Sequence, residues 1–226
     1  MGAPQRPGRG RCGRHRRHLL PPRHPIRSPL ERPLTDHRTV PAEAHAALVA
    51  HLNAHAIRKG DFVLKSGKPT TWFCDAKQTT CRPDGMLLVA DAALAVLPDD
   101  VTAIGGLTMG ADAVAFGVAA IAATRGRELR AFSVRKEVKE HGGGGRVAGA
   151  LEPGDRVVIV EDAVTRGVSM LEAADVIADE IGAEAVLLMP VVDRGGTVAA
   201  MAAERGLPLL ALVTAPDLGF DYEGPL

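Results

Sequence analysis

The sequence predicts an α/β fold: a central, mostly parallel sheet flanked by helices, with a small helix-and-strand hood at the N-terminal side. Three observations predict it. Strand-like and helix-like stretches alternate from about residue 101 to residue 213. The strand-like stretches are continuously apolar, Val157-Val158-Ile159-Val160 most clearly, and a strand apolar on both faces belongs inside a parallel sheet. The stretches between them, such as the Ala-rich Asp112–Arg125, have the length and spacing of crossover helices.

Taken in order, Pro41 opens a helical pattern that runs to about Lys59, with Leu48, Val49, Leu52 and Ile57 at helical spacing. Phe62–Leu64 and Trp72–Cys74 read as short strands around the turn Ser66-Gly67-Lys68-Pro69. Asp84–Leu97 is helical. Val101–Ile104 is a strand ended by Gly105-Gly106, and the helix Asp112–Arg125 follows. Strands over Leu129–Val134 and Val157–Val160, a helix over Ser169–Ile181, a strand over Ala185–Val192, a helix over Thr197–Arg205 and a strand over Leu209–Val213 complete the pattern. Ligands of such sheets bind at the carboxyl ends of the strands. The segments that matter are therefore Gly105–Gly110, Arg135–His141, Glu161–Ser169 and Asp193-Arg194.

Composition narrows the class. The chain has 226 residues, 46% of them hydrophobic, which suits one domain or one domain with an appendage. No apolar run reaches the length of a membrane-spanning helix. Aromatic residues make up 3%, too few for a platform that stacks single-stranded nucleic acid. The formal net charge of zero hides an asymmetry: residues 1–38 hold ten Arg against Glu31 and Asp36, so the remainder is acidic. Residues 1–38 also hold seven Pro and four His and few large apolar residues, and are expected to be a disordered extension preceding a domain over 39–226. That extension is either a nucleic-acid or membrane arm or a dispensable appendage, and it lacks the apolar core of a secretory signal. Cys12, Cys74 and Cys81 contain no C-x-x-C spacing, which opposes a disulfide framework and a zinc knuckle and suits a reducing, cytoplasmic setting.

The most informative stretch is Val157-Val158-Ile159-Val160-Glu161-Asp162-Ala163-Val164-Thr165-Arg166-Gly167-Val168-Ser169. Two carboxylates end an apolar strand, a hydroxyl- and Gly-containing turn follows, and a helix begins. Free N–H groups and hydroxyls at a helix start bind phosphate, and Gly167 lets the backbone approach it. Carboxylates beside that site would repel phosphate, so they suit a vicinal diol or a developing cation. A ribose 5-phosphate satisfies both halves. The alternative is an ordinary strand–loop–helix whose Asp162 is a solvated cap. The stretch is neither a Walker loop nor a dinucleotide fingerprint. Arg135-Lys136-Glu137-Val138-Lys139-Glu140-His141 with four glycines after it is cationic. The chain has six Lys against 21 Arg, and two of the six stand here. A cationic, Gly-rich loop next to a diphosphate reads as a lid, against the alternative of a solvated surface loop.

Residues 157–169 resemble the phosphoribosyl-pyrophosphate (PRPP) motif of type I phosphoribosyltransferases, which implies that fold and assigns Glu161, Asp162, Ala163, Val164, Thr165, Arg166, Gly167, Val168 and Ser169 to PRPP. Two positions depart: Arg166 stands where a small or hydroxylic residue is usual, and Val168 where Gly is common. Arg166 either adds charge for the 5-phosphate or crowds the turn. The loop Arg-Lys-Glu-x-Lys-x-His-Gly resembles the catalytic loop of orotate phosphoribosyltransferases. That resemblance assigns Arg135, Lys136, Lys139 and His141 to pyrophosphate, some of them across a homodimer with shared sites. Phe62–Asp75 resembles the same family's N-terminal substrate segment, which implies Lys65 on PRPP and Phe73 and Cys74 against the orotate ring. Asp193-Arg194 resembles its Asp-Arg pair, which implies Arg194 on the orotate carboxylate, a planar anion that suits a guanidinium fork. Met109 stands where some members have Lys, so Thr108 and Met109 are expected to contact pyrophosphate through their backbone only.

The resemblance implies the reaction of orotate with PRPP to orotidine 5′-phosphate and pyrophosphate, in pyrimidine biosynthesis leading to UMP. It implies Mg²⁺ carried on PRPP rather than by direct protein ligands, and an oxocarbenium-like ribose faced by Glu161 and Asp162. Lys139, His141 and Lys136 would neutralise the leaving group. Membrane and nucleic-acid partners are not expected. Two other readings compete. A transferase for a purine or uracil would keep residues 157–169 and lack the Arg135–His141 pattern. A non-catalytic PRPP-sensing regulator would bind nucleic acid through the Arg-rich arm.

Overall fold

A computed structural model describes residues 38–63, 67, 69–138 and 144–224. The first helix, α1 (Ala42–His55), starts behind Pro41 and buries Leu48 and Leu52. It stops short of the expected Lys59. Ile57–Val63 instead forms β1, which pairs antiparallel with β2 (Pro69–Cys74) in the register Ile57 with Cys74 and Lys59 with Trp72. Helical spacing over 57–59 is overridden by a ladder whose other half lies beyond the turn, a partner that local periodicity cannot register.

A short helix that the sequence pattern did not signal, α2 (Lys77–Thr80), leads to α3 (Pro83–Val96). Pro at the first position and Asp84 in the first turn suit a helix start, and Pro98 follows its end. Then come β3 (Ala103–Leu107), α4 (Gly110–Thr124), β4 (Arg130–Val134), the edge strand β5 (Val147–Gly149), β6 (Arg156–Val164), α5 (Val168–Ile181), β7 (Glu184–Asp193), α6 (Val198–Glu204) and β8 (Val213–Thr214). The six-stranded sheet has the order β5-β4-β3-β6-β7-β8, parallel throughout except for β5 against β4. The expected α/β class, a mostly parallel sheet with helices on both faces and a two-stranded hood, is the observed one.

Three further boundaries differ from expectation. Gly105 and Gly106 lie inside β3 rather than ending it. A Cβ on Gly105 would come within 2.6 Å of the Phe132 ring, and one on Gly106 within 2.3 Å of the Val160 carbonyl oxygen. The glycines are there because neighbouring strands pack against their Cα atoms. Second, β6 continues past Val160 to Val164, so Glu161 and Asp162 are strand residues with alternating orientation. Third, the last strand is Val213–Thr214, with Leu209 reduced to an isolated bridge to Leu188.

The period of two sorts the core. Val158 and Val160 join the cluster built with α1, α3 and α4. Val157 and Ile159 join the one built with α5 and α6. Along the chain, β3 is the first strand of this sheet. The next strand, β4, lies on one side of it and β6 on the other. The crevice of an open α/β sheet opens at such a reversal, beyond the strands' carboxyl ends. The C-terminal ends of β3 and β6 are therefore where a ligand site is expected. The expectation for residues 1–38 falls outside the described residues, save for Arg38, whose guanidinium pairs with Asp99 at 3.0 Å.

Candidate active site

At the end of β6, alternation sends two adjacent carboxylates to opposite faces. Glu161 turns toward α5 and its Oε2 accepts the Ser169 hydroxyl at 2.9 Å. Asp162 turns toward α2 and its Oδ2 accepts from Lys77 Nζ at 2.5 Å. Both side chains are buried. The remaining oxygens, Glu161 Oε1 and Asp162 Oδ1, converge beside Gly110 at the start of α4. A Cβ on Gly110 would stand 1.6 Å from the first and 2.7 Å from the second. That glycine is what leaves the two carboxylates room to face a common space. Burial and, second, the charge of Asp162 push the Glu161 carboxyl up to about 7. Burial works against the Lys77 ammonium, but its hydrogen bond to Asp162 and the surrounding carboxylates outweigh this and hold it above its ordinary value.

The turn after β6 makes a concavity of about 380 Å³ lined by Ala163, Val164, Thr165, Arg166, Gly167, Val168 and Ser169. Gly167 adopts φ 77° at the N-cap of α5, a conformation that glycine holds without strain. Val168 and Ser169, the first residues of α5, line this concavity, and the first N–H groups of a helix lack an acceptor within it, as an anion site requires. The side chain of Arg166 is exposed, so it does not crowd the turn. Ser169 was expected on phosphate through its hydroxyl; here that hydroxyl donates to Glu161.

After β3, Thr108 N donates to Val134 O at 2.8 Å, and the Thr108 hydroxyl donates to Asp112 at 2.6 Å. Met109 is exposed. After β4, the ends of the cationic loop are tied together: Arg135 N donates to Arg146 O at 2.8 Å, and Arg146 Nε donates back to Arg135 O at 2.7 Å. Lys136 is exposed beyond this clasp. Lys139, His141 and Lys65 lie outside the described residues.

Arg194 follows β7. Asp193 accepts the N–H groups of Gly195 and Gly196 at 3.1 and 3.0 Å, which shapes the turn that presents Arg194. The guanidinium lies 5.0 Å from the Trp72 ring and 5.8 Å from the Phe73 ring, so β2 and β7 meet there. Trp72 in turn stacks on Phe220 at 4.4 Å. Cys74, next in β2, is buried, and burial above all pushes its thiol up to about 12, so it is no nucleophile. Arg194 is already paired: Glu223 lies 2.6 Å away, both side chains are about nine-tenths buried or more, and Arg194 Nε and Glu223 Oε2 have no partner.

Sequence reasoning missed Lys77 and Glu223, and reached Gly110 only as the last residue of the segment Gly105–Gly110. Lys77 carried the same signal that singled out Lys136 and Lys139, a lysine in an arginine-rich chain. Glu223 carried none, because its meeting with Arg194 depends on the path of the C-terminal segment.

No model of a protein family matches the chain. Individual proteins do. It is 34% identical over 183 residues to an orotate phosphoribosyltransferase of Rhodopirellula baltica, covering 78% of this chain and 94% of that one. It is 38% identical over 181 residues to an orotate phosphoribosyltransferase of Streptomyces avermitilis, covering 79% and 99%. Among solved structures it is similar to Mycobacterium tuberculosis orotate phosphoribosyltransferase in complex with PRPP, with a TM-score of 0.65 and 29% identity over 78% of this chain and 99% of that one. By sequence over the length of its relatives and by fold, the chain belongs to the orotate phosphoribosyltransferase family.

Proposed function

We propose that the protein transfers the phosphoribosyl group of PRPP to orotate, giving orotidine 5′-phosphate and pyrophosphate, a step of pyrimidine biosynthesis, and that residues 39–226 carry this activity while residues 1–38 are an appendage. The observation that carries the reading is the convergence of Glu161 Oε1 and Asp162 Oδ1 beside Gly110, next to a concave helix start. The 5-phosphate sits on the N–H groups of Thr165–Ser169, and the carboxylates accept the ribose hydroxyls. As the bond from C1′ to the pyrophosphate oxygen lengthens, positive charge grows on the ribose ring, and the two carboxylates face it. Lys77 orients Asp162 through its hydrogen bond to Oδ2.

Pyrophosphate leaves toward the turn Thr108-Met109, whose Thr108 N–H is already held by Val134 O, and toward the cations Arg135, Lys136, Lys139 and His141, with Lys65 on PRPP. Arg194 turns the orotate ring so that N1 meets C1′, with Phe73 and Cys74 along its face. A Mg²⁺ ion suits the site because the atoms that converge there, Glu161 Oε1 and Asp162 Oδ1, are carboxylate oxygens. Held chiefly by PRPP with Glu161 and Asp162 beside it, it would supply charge neutralisation to the leaving diphosphate. The working unit is a homodimer that shares its sites, in the cytoplasm; among the described residues no helix is long and apolar enough to cross a membrane.

The test is direct. Orotate absorbance falls on addition of PRPP and Mg²⁺ to the purified protein, and calorimetry detects PRPP binding. No absorbance change with orotate, but turnover with uracil or a purine, reassigns the acceptor. No heat from PRPP overturns the reading altogether.

A further inference from the structure

A second group of ligating side chains lies apart from the carboxylate pair, where α1 meets the start of α3. His51 and His55 stand one turn apart on α1, so their rings leave the same face, with centroids 4.4 Å apart. Asp84, in the first turn of α3, brings Oδ2 to 3.3 Å from His51 Nε2. One ligand atom from each of the three lies within 4.8 Å of the others.

His51 is the informative member. Its side chain is only 9% exposed. Nδ1 is anchored 3.1 Å from the Thr79 hydroxyl on α2. Nε2 is buried and its one close polar neighbour is Asp84 Oδ2, at 3.3 Å. A buried ring nitrogen needs a partner, and here the one it faces is the carboxylate of an exposed residue. The ring is thus fixed through one nitrogen while the other is aimed at a carboxylate and a second imidazole. An imidazole held by a hydrogen bond at one nitrogen, with the second nitrogen facing further donors, is how metal-bound histidines are arranged.

We propose that His51, His55 and Asp84 form a binding site for a divalent transition ion, with the donor set of Zn²⁺ and water completing a tetrahedral shell. Metal–ligand bonds of about 2.0–2.2 Å put neighbouring ligand atoms roughly 3.3 Å apart in that geometry. His51 and Asp84 already stand at this separation. His55 is exposed and completes the set by side-chain rotation. With the ion on Nε2, Nδ1–H donates to Thr79. The role is structural: the ion ties the first helix to α3 across α2, the short helix that presents Lys77 to Asp162. Mg²⁺, which favours an all-oxygen shell, is not the ion for this site.

The test uses the full-length protein after chelation. Excess Mg²⁺ and PRPP are present to cover the carboxylate pair, and Co²⁺ is then titrated and displaced by Zn²⁺. Histidines in residues 1–38 and His141 also offer ligands, so variants decide the location. His55→Ala removes an exposed ligand, and Asp84→Asn is the second variant; unchanged circular dichroism shows that both fold. The expected result is one Co²⁺ with a tetrahedral visible spectrum in the parent protein, bound at least ten-fold more weakly in each variant. Zn²⁺ should raise the thermal midpoint of the parent alone. Equal Co²⁺ affinity in parent and both variants, or no tetrahedral spectrum in the parent, overturns the proposal. So does loss of the ion in Glu161→Gln instead, which would assign it to the carboxylate pair.

Discussion

On the phosphoribosyl side, Glu161 and Asp162 leave one strand and each is held by a neighbouring element, Ser169 of α5 and Lys77 of α2. On the orotate side, Arg194 is held by Glu223, 29 residues further along the chain, from a segment that follows the last strand. The first side is tied together without substrate: Glu161 Oε2 and Asp162 Oδ2 each have a side-chain partner, Asp162 Oδ1 accepts the Ala163 N–H, and Glu161 Oε1 and Asp162 Oδ1 converge beside Gly110. The second side is closed by a carboxylate of the protein itself, bound to the cation proposed above for the orotate carboxylate. Preorganisation serves the step in which charge develops. On the reading proposed above, an internal anion that orotate replaces would serve the step in which the acceptor is recognised, because it keeps a buried guanidinium paired until then.

The comparison breaks first at Gly110. Gly110→Ala puts a methyl group where Glu161 Oε1 now lies, and turnover should fall by about 10²-fold or more, on the scale of losing one preorganised charged group. Activity within a few-fold of the parent would mean the carboxylates are not held there.

The second test is stability. A carboxyl raised to about 7 favours its protonated form in the fold. Its contribution is fully present below the unfolded value of 4.5 and is lost as pH rises through 7. Glu161→Gln should therefore be more stable than the parent at pH 8, by about 3 kcal/mol, with the difference vanishing near pH 4.5. Thermal midpoints that coincide across this range would show that Glu161 carries no such strain. Lys77→Met is the mirror case: it leaves Asp162 buried without its cation, and kcat should fall by about ten-fold while the orotate KM stays the same. An orotate KM that rises instead would place Lys77 on the other side of the site.

The orotate side should respond in binding rather than turnover. Arg194→Ala should raise the orotate KM by about ten-fold or more, as expected for loss of a charged hydrogen-bonding partner, with the PRPP KM little changed. The smallest effect sharpens the contrast most. Glu223→Gln removes the competing negative charge and should lower the orotate KM about three-fold. A rise in step with Arg194→Ala would mean that Glu223 positions the guanidinium instead of competing for it.

Much of this was legible in the residues because its causes are local. An all-apolar run of β-branched residues makes a central strand wherever it occurs, and a turn with Gly167 before an amphipathic stretch makes a helix start. The strand-helix alternation, the class of the sheet and the importance of Glu161–Ser169 follow from such short-range facts. Glycines 105 and 106 misled, because a residue that ends strands by local preference was required inside one by the approach of Phe132 and Val160. Ile57–Lys59 misled for the same kind of reason, since the partner strand decided its conformation.

By itself, then, the order of residues determined the α/β class, the position of the acidic pair at a strand end and the cationic loop after another, all consequences of side-chain periodicity and backbone preference along a few residues. Only the tertiary structure decided that Glu161 and Asp162 are held from opposite faces yet meet beside Gly110, that Lys77 serves one of them, that Glu223 reaches Arg194, and that His51 faces both His55 and Asp84. Those facts depend on which segments are neighbours in space, and the packing of the whole sheet, not any local pattern, brings residues distant in the chain within a few ångströms of one another.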